Sequence, residues 1–301
     1  MKLSELLPKY LEQYDFKLNN EQEFMSLGLV GSDTGSKKCT FVDSADYIEG
    51  IPNDVSMVIT TKVFAESVVC EGRGVCVVDS PRIVFFKLHN ALSRIKPYAR
   101  PDFKTVIGKN CRIHSSAVIA DTNVKIGNNV IIEEFVVIRE NTIIGDNCII
   151  RTGVKIGNPD FEFKREGEFI FGVEHCGGVI IGRDVEILPN TGVNKALYPW
   201  DDTIIGDYCK IDMLCNISHG AKIGKNTMIV ALSGVGGRTV IGENCWIGYG
   251  AILRNGINIG NNARVNMGAV VSRNVADNKS VTGNFAIDHE KFMNELKNRA
   301  K

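Results

Sequence analysis

His219 is the residue whose neighbours in the sequence best suit chemistry. An imidazole with an ordinary pKa of about 6.5 takes up and returns a proton near neutral pH. Eighteen residues on lies Gly237, inside the run Gly234-Val235-Gly236-Gly237. A backbone N–H in such an open stretch can face negative charge developing on an oxygen, an interaction of about 3 kcal/mol. Of the other histidines, His175 sits among phenylalanines and is a candidate for touching substrate. His89 and His289 fall in helical stretches and read as surface residues, and His114 has no glycine-rich neighbour.

A repeat must bring His219 and Gly237 together. From Ile205 every sixth residue to Val271 is aliphatic. The residue two places earlier is small (Thr203, Cys209, Cys215, Ala221, Thr227, Ser233, Thr239, Cys245, Ala251, Ala263, Ala269), with Ile257 the exception. A six-residue period is the mark of a parallel β-helix with three flat faces and about eighteen residues per coil. The aliphatic residues point inward and the small ones fill the space beside each corner. Gly206, Gly224, Gly242, Gly248 and Gly260 are expected where the chain bends through unusual backbone angles. His219, two places after the inward Ile217, should face outward, with Gly237 about 4.8 Å away on the next coil.

The repeat starts near Thr105 with Ile107, Ile113 and Ile119, shifts by one residue, and continues from Ile126 to Ile156. It is then interrupted by Asn158 to Gly178, which holds Phe161, Phe163, Phe169, Phe171 and His175. That excursion is either a lid over a site or a loop packed on its own or a neighbouring subunit. Ile181, Ile187 and Val193 resume the coil before a second protrusion, Asn194 to Asp202. Roughly eight coils follow from the period.

With 301 residues the chain can form one large domain or two modest ones. Lys plus Arg equals Asp plus Glu at 35 each, which argues against a nucleic-acid binder. The apolar runs are too short for a membrane span, and the start lacks a signal-peptide core, so the expected location is cytoplasmic. Five of the nine cysteines (Cys111, Cys148, Cys209, Cys215, Cys245) stand in the small-residue row and read as buried thiols. No metal-ligand cluster is seen, and no metal is expected.

Residues 1–103 lack the six-residue period. Short apolar runs (Phe24 to Val30, Cys39 to Val42, Val55 to Thr60, Gly74 to Val78) read as strands, and residues 3–14 as a helix. Ser80-Pro81 opens another helix, to Leu92, with Ser80 as N-cap. This predicts a small α/β domain. Lys96 to Pro101 reads as the linker to a β-helix domain over 104–275. A tail over 276–301 ends in a short helix beginning near Asp288.

Asp201-Asp202-Thr203-Ile204-Ile205-Gly206 and Asn216-Ile217-Ser218-His219-Gly220-Ala221-Lys222-Ile223-Gly224 resemble the UDP-3-O-acylglucosamine N-acyltransferase family of lipid A synthesis. Phe41 to Tyr47 is similar to its uridine-binding segment, and Phe161 and Phe163 fall in its Gly-Phe-Gly-Tyr loop. The resemblance implies a mainly β protein, a left-handed parallel β-helix of hexapeptide repeats behind a small α/β domain. It implies a homotrimer, a nucleotide-linked amino sugar as acceptor and an acyl thioester as donor. His219 is then the base and the Gly237 amide the oxyanion donor. Tyr47, Phe41, Phe161, Phe163, His175 and Asn216 are the expected substrate contacts. Aromatic faces stack on bases, and Tyr47 suits that better than Phe41, which has an equal claim as a core residue.

The sequence also departs from that family. A second histidine is missing from Asn255-Gly256-Ile257, Arg238 replaces a serine, and Asn194-Lys195 replaces an acidic-basic pair. The tail is shorter, and Val281-Thr282-Gly283-Asn284-Phe285-Ala286 resembles the ending of acetyl-CoA-dependent sugar acetyltransferases. The resulting expectation is acetyl transfer from acetyl-CoA to a nucleotide-linked amino sugar for surface polysaccharide. The alternative is N-acylation of UDP-3-O-acylglucosamine from a 3-hydroxyacyl carrier protein. A reading of another class is a non-catalytic trimeric scaffold that binds sugars.

Overall fold

The computed structural model describes residues 1–69, 72–283 and 286–299. From Val106 to Val281 the chain winds into three parallel sheets of nine, eight and eight strands, which agrees with the expected coil count. Outside the excursions, register follows the eighteen-residue period, with Asn216 beside Gly234 and Ile217 beside Val235, except that the first coil is offset by 19 residues (Arg112 beside Ile131) and the last by 16 (Arg264 beside Ser280). The inward aliphatic residues form one buried stack from Val124 to Val275.

The small-residue row does more than fill space. Thr227 Oγ1 donates to the Gly242 carbonyl at 2.9 Å and Ser233 Oγ to Gly248 at 2.9 Å. Cys209 Sγ donates to Gly224 at 3.1 Å and Cys245 Sγ to Gly260 at 3.0 Å. Many positions in this row thus hold a small donor that satisfies a carbonyl of the next coil, which explains why Cys, Ser and Thr interchange there. Cys111, near the open end of the stack, is only partly buried; the other four of the expected thiols are buried.

The expected reason for the glycines needs correction. Left-handed corners are held most often by asparagine, as at Asn226 (φ 57°) and Asn244 (φ 57°), and by other glycines such as Gly220 (φ 68°) and Gly250 (φ 66°), not by the five glycines named above. Gly224 is required for a different reason. A Cβ there would lie 2.6 Å from the backbone carbon of Gly242 on the next coil.

Ahead of the solenoid is a five-stranded sheet of β1 (Lys17–Asn19), β2 (Ser26–Leu27), β3 (Lys38–Val42), β4 (Val55–Thr60) and β5 (Gly74–Val77), in the order β1-β5-β4-β3-β2. Only β1 runs antiparallel to its neighbour. The helices are α1 (Leu3–Tyr10), α2 (Lys62–Val69) and α3 (Pro81–Leu92). β1 and α2 were not foreseen. Pro81 does open α3, but the Ser80 side chain makes no capping hydrogen bond. The tail helix is α4 (His289–Arg299). Of the Val281-to-Ala286 segment, Asn284 and Phe285 lie outside the described residues.

Lys96 to Pro101 is not a free linker. Tyr98 is buried in an apolar cluster that joins Leu3, Phe41 and Phe85 to Val173, Leu197 and Tyr198 of the two excursions. Arg100 donates to the carbonyls of Pro199 (2.7 Å) and Asp201 (2.7 Å) and pairs with Asp202. The Trp200 indole N–H donates to the Leu27 carbonyl at 2.8 Å.

His89 is likewise not a surface residue: it is fully buried, 2.7 Å from both the Tyr98 hydroxyl and the Glu174 carbonyl. A neutral ring that donates from Nε2 and accepts at Nδ1 satisfies both. Burial pushes its pKa down to about 4, so the unfolded chain, near 6.5, binds the proton more tightly. Stability is therefore complete above pH 6.5 and declines as pH falls from there towards 4, by roughly 3 kcal/mol for this one group. A Tm series across that window should show the decline, and His89→Gln should flatten it; an unchanged slope would contradict this assignment.

Candidate active site

The strand Asn216–Ile217 ends one residue before Ser218 and delivers His219 to a corner of the coil. The ring points away from the solenoid, as expected, yet His219 is only 5% exposed. The excursion covers it. Two antiparallel strands, Phe163–Glu166 and Phe169–Gly172, make that excursion a hairpin. It is clamped to α3. Glu166 pairs with Lys87 at 2.5 Å and accepts from the Tyr14 hydroxyl, and the Asn90 side chain donates to Gly172 at 2.8 Å.

The residues before the hairpin alternate acid and aromatic, and the acids face His219. Asp160 Oδ2 accepts the His219 backbone N–H at 2.8 Å. Glu162 Oε2 lies 3.6 Å from His219 Nε2. The other Glu162 oxygen is paired with Lys164, whose ammonium stands 4.4 Å above the Phe86 ring of α3. His175 meets His219 edge-on at 5.7 Å between ring centroids. Phe161 and Phe163 flank Glu162, 4.9 Å apart and both exposed.

Gly237 lies directly against the imidazole. A Cβ there would be 2.5 Å from His219 Nε2, so any side chain would push the imidazole aside. The neighbouring Gly236 N–H donates to Leu253 and the Arg238 N–H to His219. Among the described residues the Gly237 N–H has no acceptor, so it is free for a ligand oxygen.

Burial holds the His219 pKa below the usual histidine range, and the Arg238 cation adds to this. Asp160, Glu162 and Asp201 pull the other way without prevailing. The ring is therefore neutral, and able to accept a proton, near pH 7. His175 is pushed down to about 4 by burial first and by His219 second. Burial works against ionisation of Asp160, but the N–H groups of His219 and Phe161 keep its carboxyl below its usual range.

The structure brings His219, Gly237 and His175 together; Phe161 and Phe163, on either side of Glu162, stay exposed rather than joining them. Asn216 is on the strand leading to it, donating to Ser218 Oγ at 2.9 Å and accepting from Asn194 at 3.3 Å. Phe41 and Tyr47 form a separate place, a cavity of about 300 Å³ with Leu29, Val30, Gly31, Ser32 and Arg82. Phe41 is both core and wall: its ring packs on Phe85 and Phe86 at 5.0 and 5.9 Å. Tyr47 is exposed at the rim. Phe86 links the two places through Lys164 and Glu162. Asp160, Glu162 and Lys164 were missed in the sequence, although the alternation Asp160-Phe161-Glu162-Phe163-Lys164 was a usable sign that one face of the segment is charged. Among the described residues no group of three or more His, Cys, Asp or Glu could hold a metal ion, and no helix is long and apolar enough to cross a membrane.

Comparison with known proteins agrees with this architecture. The bacterial transferase hexapeptide family (six repeats) matches residues 123–158 and 202–237, and the hexapeptide repeat of succinyl-transferase matches 104–134 and 238–273. A UDP-3-O-acylglucosamine N-acyltransferase of Delftia acidovorans is 35% identical over 137 residues, 46% of this chain and 40% of that protein. UDP-3-O-acylglucosamine N-acyltransferase 2 of Legionella pneumophila is 40% identical over 94 residues, 31% of this chain and 27% of its own length. The matched part thus spans less than half of these relatives. Among solved structures, an Arabidopsis UDP-N-acetylglucosamine acyltransferase superposes with a TM-score of 0.51 at 25% identity, covering 63% of this chain and 71% of that one.

Proposed function

We propose, for a chain whose solenoid is built of bacterial transferase hexapeptide repeats, that it is an N-acyltransferase acting on the amine of a nucleotide-linked amino sugar. One observation carries this reading: a buried, neutral imidazole rests on a glycine whose N–H is free. The acceptor nitrogen bonds to the thioester carbon while His219 takes its N–H proton. The carbonyl oxygen, now negative, is met by the Gly237 N–H. The C–S bond then breaks and His219 returns the proton to sulfur. One imidazole serves as base and then as acid, and transfer is direct, without an acyl-enzyme.

The nucleobase is assigned to the cavity of Phe41 and Tyr47, where a flat ring can stack on aromatic faces. A homotrimer is supported by apolar side chains left exposed along the solenoid, including Leu214, Leu232, Ile252 and Val270. The relatives' names favour UDP-3-O-acylglucosamine as acceptor over the acetyl-CoA reading. A long-chain acyl carrier protein thioester is the donor that goes with it.

A thiol-release assay distinguishes the donors. A 3-hydroxyacyl carrier protein with UDP-3-O-acylglucosamine is expected to turn over far faster than acetyl-CoA with UDP- or dTDP-linked amino sugars. Turnover with acetyl-CoA alone would restore the acetyltransferase reading.

A further inference from the structure

We infer that Glu162 binds the acceptor's amine as an ammonium and so makes the site select an amine over a hydroxyl; this rests on the acyl-transfer reading. Three carboxylates lie near His219, and two are already committed. Asp160 accepts the backbone N–H groups of His219 and Phe161, both at 2.8 Å. Asp201 is held by Lys222 at 2.5 Å and accepts the Asp202 N–H at 2.9 Å. Glu162 has one oxygen on Lys164 and presents the other, Oε2, to the base.

The gap has the size of one nitrogen. Oε2 and Nε2 are 3.6 Å apart, too far for a hydrogen bond between them. An atom about 2.8 Å from each, the usual hydrogen-bond length, would bridge that span. An ammonium has protons for both: one donated to the carboxylate, one to the neutral imidazole. A hydroxyl has a single proton and no charge, so it cannot bond both groups and leaves Oε2 without a cationic partner. Glu162 is only 13% exposed, so water compensates poorly.

The step balances. The bound ammonium gives one proton to solvent by way of His219. The resulting amine attacks the thioester carbon, its second proton passes through His219 to the departing sulfur, and the products are an amide, a thiol and the released proton. Lys164 holds the carboxylate in place and is itself seated on Phe86, so the acceptor-binding group is tied to the helix that packs beside Phe41.

The test is titration calorimetry of UDP-glucosamine and UDP-glucose, which differ at the amine. The wild-type protein should prefer UDP-glucosamine by roughly tenfold to a hundredfold, the range of one hydrogen bond to a charged group. Glu162→Gln should bind the two sugars alike with UDP-glucose unchanged, and Glu162→Asp should restore part of the preference. Equal binding by the wild type, no binding of either sugar, or a preference that survives Glu162→Gln would overturn the inference. Thiol release with UDP-3-O-acylglucosamine separates it from the reading beneath. Normal turnover with the amine preference intact in Glu162→Gln sinks the Glu162 role alone. A Glu162-dependent preference without any turnover sinks acyl transfer alone.

Discussion

Gly237→Ala is expected to lower kcat for acyl transfer by about a hundredfold or more while leaving the fold in place. The new methyl would sit 2.5 Å from His219 Nε2 and 2.8 Å from its Cε1, so the imidazole must move. It cannot move freely, because the hairpin closes over it and leaves it 5% exposed. The imidazole is therefore pushed off the place it holds beside Gly237. Gly237 is not among the residues with positive φ, so its backbone accepts alanine without strain. A Tm within a few degrees of wild type, together with the fall in kcat, would separate this from unfolding. Wild-type kcat would mean that the oxyanion is stabilised elsewhere.

His219→Ala should cost about 10²- to 10⁴-fold in kcat/KM, the usual contribution of a positioned general base. The hairpin should stay closed in this variant. Its anchor at this point, Asp160, bonds the backbone N–H of residue 219 rather than the ring, and Glu166 remains on Lys87. The pH profile adds a signature. The ring must be neutral to act, and burial, helped by Arg238, holds its pKa below the ordinary value. Wild-type kcat/KM should therefore persist at pH 6.5 and fall only at lower pH, and the variant should lack that limb. A profile unchanged by the substitution would remove His219 from the mechanism.

The solenoid was legible because its signal is periodic: an inward aliphatic residue every six places and a small one beside it have no other structural meaning. The same periodicity sets His219 against Gly237. It could not show what covers them. The hairpin comes from the longest interruption of the repeat, and its seat on Lys87, Asn90 and Phe86 belongs to a helix some eighty residues earlier. His89 was misjudged for the same reason. A polar residue on a helix reads as surface until Tyr98 and Glu174 are seen closing over it. The small-residue row was identified as small but not as donating, because that depends on carbonyls of the next coil. At the Gly224 corner the sequence suggested strained angles, while the structure shows another backbone too close for a side chain.

The central claim is that a thioester's acyl group passes directly to an amine at His219. Its most direct test is product stoichiometry. The protein is mixed with UDP-3-O-acylglucosamine and a 3-hydroxyacyl carrier protein thioester, and free thiol and new amide are measured together by thiol titration and mass spectrometry. Equal amounts of thiol and amide are expected, with no acylated protein at any time. Thiol without amide, or an acyl group found on the protein itself, would contradict it.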